Sequence, residues 1–185
     1  MADTYSNMLP LGTKAPNFDL MDAKENRSFS LSDVNSDKGL LIIFGCNHCP
    51  FVLHVMPKLN EVVGEFHEKG ISSFMINSND PKIKPEDSFE KMGEFVDKYN
   101  LNMPYLYDET QEVAKAYDAA CTPDIFLFDK DLKLVYRGQF DDSRPGKGEA
   151  TGDDLRAALE ALVSGNPISE AQKPSIGCNI KWREA

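Results

Sequence analysis

Cys46 and Cys49 stand with two residues between them in the run Cys46-Asn47-His48-Cys49-Pro50. That spacing places the sulfurs about one helical turn apart, close enough to bridge. The run Leu40–Phe44, bounded by Gly39 and Gly45, suits a short buried strand. After it, Phe51, Val55, Leu59, Val62 and Phe66 recur at helical spacing, and Pro50 suits a first helical position, where no amide donor is needed. The cysteines therefore fall where a strand hands over to a helix N-terminus. Unpaired amides and the helix dipole favour a thiolate there. His48 adds positive charge beside the sulfurs when protonated, and so tunes their pKa. A strand, C-x-x-C and a helix together form the pattern of a dithiol/disulfide exchange site.

The remaining thiols and imidazoles carry less. Cys46, Cys49 and Cys121 are a conceivable set of three soft metal ligands. Zinc ribbons, however, use two C-x-x-C pairs, and a second pair is absent, so neither metal nor organic cofactor is expected. Cys121 is kept as a possible additional thiol. Cys178 in the tail could resolve or buffer the active dithiol, but a lone cysteine is more often merely buried, and that is the reading taken. His54 and His67 lie in the helix and are read as structural.

The elements that must position the pair follow in order. Phe18–Leu20 and Ser28–Ser30 alternate like the arms of a hairpin, with a brief helical turn at Ser32 and Asp33. Gly70 stops the first helix, Ile71–Ile76 is a second strand, and Asn77–Pro81 is a loop of turn formers. Glu86 and Asp87 open another helix with Phe89, Met92, Phe95 and Tyr99 on its apolar face. Pro104–Tyr107 is a short strand, and Asp108 caps a helix carrying Val113, Ala116 and Tyr117. Ile125–Phe128 and Leu134–Tyr136 form a hairpin. Asp141–Asp142 reads as a solvated loop, Thr151 and Asp154 as a capping box, and Trp182 as the anchor of the tail. The strand–helix alternation implies an α/β fold with its early strands parallel and its active loop at the carboxyl edge of the sheet.

The chain has 185 residues, 41% of them hydrophobic, which suits one domain with a sizeable core: an extension over 1–38, a core over 39–163 and a docked tail over 164–185. A net charge of −10 without a Lys/Arg cluster argues against nucleic acid or an anionic membrane as partner. The start, Met1-Ala2-Asp3-Thr4-Tyr5-Ser6, has neither the basic end nor the apolar centre of a secretory signal, and no apolar run approaches membrane-spanning length. Four cysteines in a chain this long do not make a disulfide scaffold, so a cytoplasmic setting is expected. Oligomeric state is not legible.

Cys46-x-x-Cys49 and Thr122-Pro123 ahead of a hairpin, in this order of helices, resemble the thioredoxin superfamily. Cys46-Asn47-His48-Cys49-Pro50, Ile76-Asn77-Ser78-Asn79-Asp80, Cys121-Thr122-Pro123-Asp124 and Gly177-Cys178-Asn179-Ile180-Lys181-Trp182 are similar, more narrowly, to bacterial thioredoxin-like proteins of the peroxiredoxin-like type, also labelled alkyl hydroperoxide reductase and thiol-specific antioxidant. The resemblance covers nearly the whole chain. It implies a thioredoxin fold, with a central mixed sheet, helices on both faces, an N-terminal β-hairpin extension and a C-terminal tail. By the same resemblance Cys46 is the nucleophile, Cys49 resolves, and Pro123 is a cis-proline facing the dithiol. A cis bond would turn the Thr122 backbone toward the cysteines, where a partner peptide can pair with it like an added strand.

Gly45 stands where thioredoxins place Trp, and Asn47-His48 where they place Gly-Pro. A histidine before the second cysteine is similar to protein disulfide isomerases and bacterial disulfide oxidases, where it favours the dithiol. Typical peroxiredoxins carry Pro-x-x-x-Thr-x-x-Cys and an arginine that polarises peroxide. Aligning their cysteine with Cys49 puts Cys46 at the Thr and Ile42 at the Pro, and no arginine falls near Cys121–Pro123. The expected function is thiol-disulfide exchange with protein or low-molecular-weight thiols and disulfides. A thiol-dependent peroxidase is the alternative, and a metal- or cluster-binding protein the third reading.

Overall fold

The computed structural model describes residues 3–35 and 37–184; Met1 and Ala2, read above for a signal, lie outside them. The elements are β1 (Asp3–Tyr5), β2 (Asp19–Asp22), β3 (Ser28–Ser30), β4 (Gly39–Phe44), α1 (Pro50–His67), β5 (Ile71–Asn77), α2 (Phe89–Tyr99), β6 (Tyr105–Tyr107), α3 (Glu112–Ala116), β7 (Cys121–Thr122), β8 (Asp124–Asp129), β9 (Leu134–Arg137), α4 (Asp153–Ser164) and β10 (Ile176–Asn179). Seven strands form a mixed sheet in the order β3-β2-β6-β5-β4-β8-β9. β4, β5 and β6 run parallel, and the flanking pairs are antiparallel. A small sheet, β1-β10-β7, stands apart from it.

β4 is apolar throughout because both of its faces are covered. Leu41 and Ile43 pack against the buried stripe of α1 (Val52, Val55, Met56, Leu59, Val62, Phe66) and against α2 and α4. Leu40, Ile42 and Phe44 face the other way, toward α3 and the chain before β2. This alternation is the strand period of two acting on a sheet with helices on both sides. The expected hairpin over 18–30 is present and continues the main sheet, β2 pairing with β6.

Several local expectations change. Pro85–Asp87 is one 3-10 turn, and α2 begins after it, with the Ser88 hydroxyl accepting the Lys91 amide. Asp108 caps α3 from a distance: its carboxylate accepts the Val113 and Ala114 amides at 3.3 and 2.9 Å, while Gln111 occupies the cap position. α4 has Gly152 as N-cap, with no side-chain box. The Thr151 and Gly152 amides are taken instead by buried Asp141, at 2.7 and 2.9 Å, so Asp141 is a structural cap rather than a solvated loop residue. Trp182 is 37% exposed, with the Lys115 ammonium over its ring. The tail is held by its backbone: the Lys181 amide donates to Asn79 Oδ1 at 2.8 Å and the Arg183 amide to Gln111 Oε1 at 2.9 Å. Among the described residues no helix is long and apolar enough to cross a membrane.

Candidate functional site

β4 lies inside the sheet, between β5 and β8, so the loop leaving its carboxyl end is held on both sides. The Gly45 amide donates to Ile76 O at 2.9 Å, Cys46 follows, and Cys49 is the N-cap of α1 with Pro50 inside it. Across from them the Thr122–Pro123 bond is cis, as the resemblance implied. As a thiol, Cys49 donates to Thr122 O at 3.3 Å, and Cys46 Sγ lies 3.5 Å from Thr122 Oγ1. Both cysteines have 0% exposure, and all four cysteines are free.

A carboxylate expected at a helix start, Asp87, closes the site. Asp87 is fully buried, and its Oδ2 lies 2.5 Å from His48 Nδ1 and accepts from Asn79 Nδ2 at 2.9 Å. Its Oδ1 accepts the Asn47 amide at 2.8 Å. Asn77 Nδ2 donates to the Asp87 carbonyl, and Tyr105 Oη donates to Asn47 Oδ1, both at 2.8 Å. With Asp87 as a carboxylate, which only accepts, His48 must carry its proton on Nδ1. The other ring nitrogen, Nε2, is buried without a partner and in the neutral ring carries the lone pair. A His48 ring nitrogen, Cys46 Sγ and an Asp87 oxygen all lie within 4.8 Å of one another. These are possible metal ligands, but both Asp87 oxygens already accept hydrogen bonds, and the set fits a proton relay better.

The metal set considered from sequence does not assemble around Cys121. Its thiol donates toward Pro123 O and Ser175 O, and burial, then the charge of Asp124, push its pKa far up. The third thiol at the dithiol is Cys178. β10 pairs antiparallel with β7 and sets Cys178 opposite Thr122. Cys178 is buried, as expected, but in the same cluster as Cys46 and Cys49 and opposite Thr122, whose carbonyl Cys49 faces.

The charge of this trio centres on Cys49. Hydrogen bonds from Cys178 first and Cys46 second lower its pKa well below the free value, against burial, and the Val52 amide in the first turn of α1 assists. Cys46 moves the other way. Burial is the first cause, followed by its hydrogen bond to Cys49 and the negative charge of Asp87. The two shifts therefore run in opposite directions, Cys49 below the free value and Cys46 above it.

Asp87, Asn79 and Tyr105 were not found from sequence. They lie about 30 to 60 positions from the cysteines, and no spacing rule links them. The only signal was polarity, in a stretch that also reads as turns.

A thioredoxin-like fold that presents a C-x-x-C pair at a helix N-terminus is that of a thiol-disulfide oxidoreductase. The family model described as AhpC/TSA family matches residues 11–137, and the chain belongs to that family. It is 28% identical over 160 residues to the thiol-disulfide oxidoreductase ResA of Bacillus thuringiensis subsp. konkukian, covering 86% of this chain and 83% of that protein. The crystal structure of an uncharacterized conserved protein from Geobacillus kaustophilus superposes with a TM-score of 0.97 at 54% identity, over 100% of this chain and 98% of the other. The thioredoxin domain of a thiol-disulfide oxidoreductase from Bacteroides vulgatus shares the fold, with a TM-score of 0.62 at 19% identity, over 80% of this chain and 96% of that one.

Proposed function

We propose that Cys46 is the attacking sulfur of this oxidoreductase, Cys49 the resolving one, and His48, oriented by Asp87, the proton carrier between steps. The carrying observation is the pair of cysteines against Thr122, with a His48–Asp87 pair beside Cys46. Cys46 attacks a partner disulfide; its proton passes to His48, the partner bond breaks, and the first partner sulfur leaves and takes a proton from solvent. The Cys49 thiolate then attacks Cys46 Sγ, forming Cys46–Cys49 and releasing the second partner sulfur, which takes the proton from His48. Read in reverse, the same steps oxidise a partner dithiol.

The partner is a protein or low-molecular-weight thiol or disulfide, and a cytoplasmic setting suits four free buried thiols. Arg137 and Arg144, the guanidinium groups on either side of the Gln139–Phe140 segment, are engaged with Leu9 and Gln172 and with Asp141, Ser143 and Gln139. Neither supports a peroxide pocket, so exchange is the reading preferred over peroxidase.

The test is trapping with a model disulfide. Cys49→Ser should accumulate a mixed disulfide on Cys46, seen by mass spectrometry, and Cys46→Ser should not. Capture at Cys49 in the wild-type protein, with Cys46 still free, would reverse the roles.

A further inference from the structure

The edge of Thr122 beside the dithiol, where an added partner strand was expected to pair, is already occupied. β10 lies on it, antiparallel, with Cys178 opposite Thr122 and Asn179 opposite Cys121. β10 also pairs with β1 on its other side, Cys178 opposite Asp3. Both flanks of the strand are fastened. Ser175 Oγ donates to Pro123 O at 2.6 Å, the Ser6 amide donates to Ser175 O at 2.9 Å, and the Lys181 amide is held by Asn79.

The approach is closer than any side chain at residue 177 permits. A Cβ on Gly177 would lie 1.9 Å from Thr122 O and 2.6 Å from Thr122 C. Thr122 O is the atom that the Cys49 thiol faces at 3.3 Å. One backbone carbonyl thus sits between a resolving sulfur and a strand that carries its own cysteine. β10 occupies the place of a partner strand, and Cys178 the place of that partner's cysteine.

We propose that Cys178 is a third redox residue of the site, which takes over the disulfide from Cys46. The inference rests on the exchange reading above. Once Cys46–Cys49 has formed, the Cys178 thiolate attacks Cys49 Sγ. The Cys49–Cys178 bond forms, the Cys46–Cys49 bond breaks, and Cys46 leaves as a thiolate that takes up the proton Cys178 gave away. No oxidant or reductant is consumed, because the step is an internal thiol-disulfide exchange. In the reduced trio Cys49 first, then burial, raise the Cys178 pKa; oxidation of Cys49 removes the first of these causes, and Lys181 acts in the opposite direction. The outcome is a molecule with its oxidising equivalent stored under the tail and Cys46 again free.

The experiment is acid quenching, alkylation and non-reducing peptide mapping of the full chain, equilibrated with reduced and oxidised glutathione at graded ratios. Wild-type protein should yield two linked species, Cys46–Cys49 and Cys49–Cys178, the second with Cys46 alkylated. Cys178→Ala should lose the second species and keep the first. The proposal is overturned if Cys178 stays fully alkylatable at every ratio that oxidises Cys46–Cys49. Failure of the exchange reading itself looks different: Cys46 and Cys49 then remain unlinked at every ratio.

Discussion

His48 Nδ1 lies 2.5 Å from Asp87 Oδ2, and the other nitrogen of the same ring is buried without a partner. A histidine between two cysteines is ordinarily credited with its charge. Here one nitrogen is committed to a buried carboxylate, which fixes the ring's orientation and leaves Nε2 for the proton transfer proposed above.

Asp87→Asn tests that orientation. An amide at 87 can still accept from one amide donor but no longer fixes the Nδ1–H tautomer. The rate of mixed-disulfide formation at Cys46 should fall by about a hundredfold, the scale of a lost general base. The pH dependence of that rate should change shape, which a merely structural loss would not produce. Stopped-flow traces with a chromogenic disulfide, alongside a urea melt, separate the two.

Thiolate absorbance at 240 nm measures where the charge resides. Because the Cys49 pKa is lowered, absorbance should persist below the free-cysteine range of about 8.5. It should vanish from that low range in Cys49→Ser and weaken in Cys178→Ala, which removes the first of the hydrogen bonds that lower it.

Gly177→Ala should push β10 off Thr122. A Cβ there meets backbone, not a flexible side chain, so the strand itself must move. The expected cost is about 1–3 kcal/mol, as for other overpacked sites. Iodoacetamide should alkylate Cys49 and Cys178 faster than in wild type. Unchanged stability and unchanged labelling would show that β10 is not held as closely as described.

Asp124 gives a pH dependence. Its carboxyl is buried, Oδ1 has no hydrogen-bond partner, and burial raises its pKa from 3.8 to about 7. The folded state therefore holds a proton that the unfolded state has released between about pH 4 and pH 7. Stability is greatest below that window and falls as pH rises through it. At about 1.4 kcal/mol per unit, the gap from 3.8 to about 7 limits the loss to ~4 kcal/mol. Urea midpoints at several pH values should show this slope in wild type and a flatter one in Asp124→Asn.

Local chemistry was legible in the amino-acid order alone. Leu40–Phe44 declares a strand buried on both faces, and Pro50 and the stripe from Val55 to Phe66 declare a helix that starts just after Cys49. Both signals concern neighbours in the chain, whose periodicity is set by the backbone. The C-x-x-C pair is local in the same sense, so its exchange chemistry could be read before any contact was known. What tertiary structure decided is which distant groups meet that pair. Asp87 reaches His48 across 39 positions because the loop after β5 folds back over the carboxyl edge of β4. Cys178 reaches Cys49 because a strand from the tail enters beside Thr122, admitted by a residue with no side chain. With burial, those two encounters move the Cys46 pKa up and the Cys49 pKa down. A pKa follows the burial and donors in space around a sulfur, and sequence spacing reports neither.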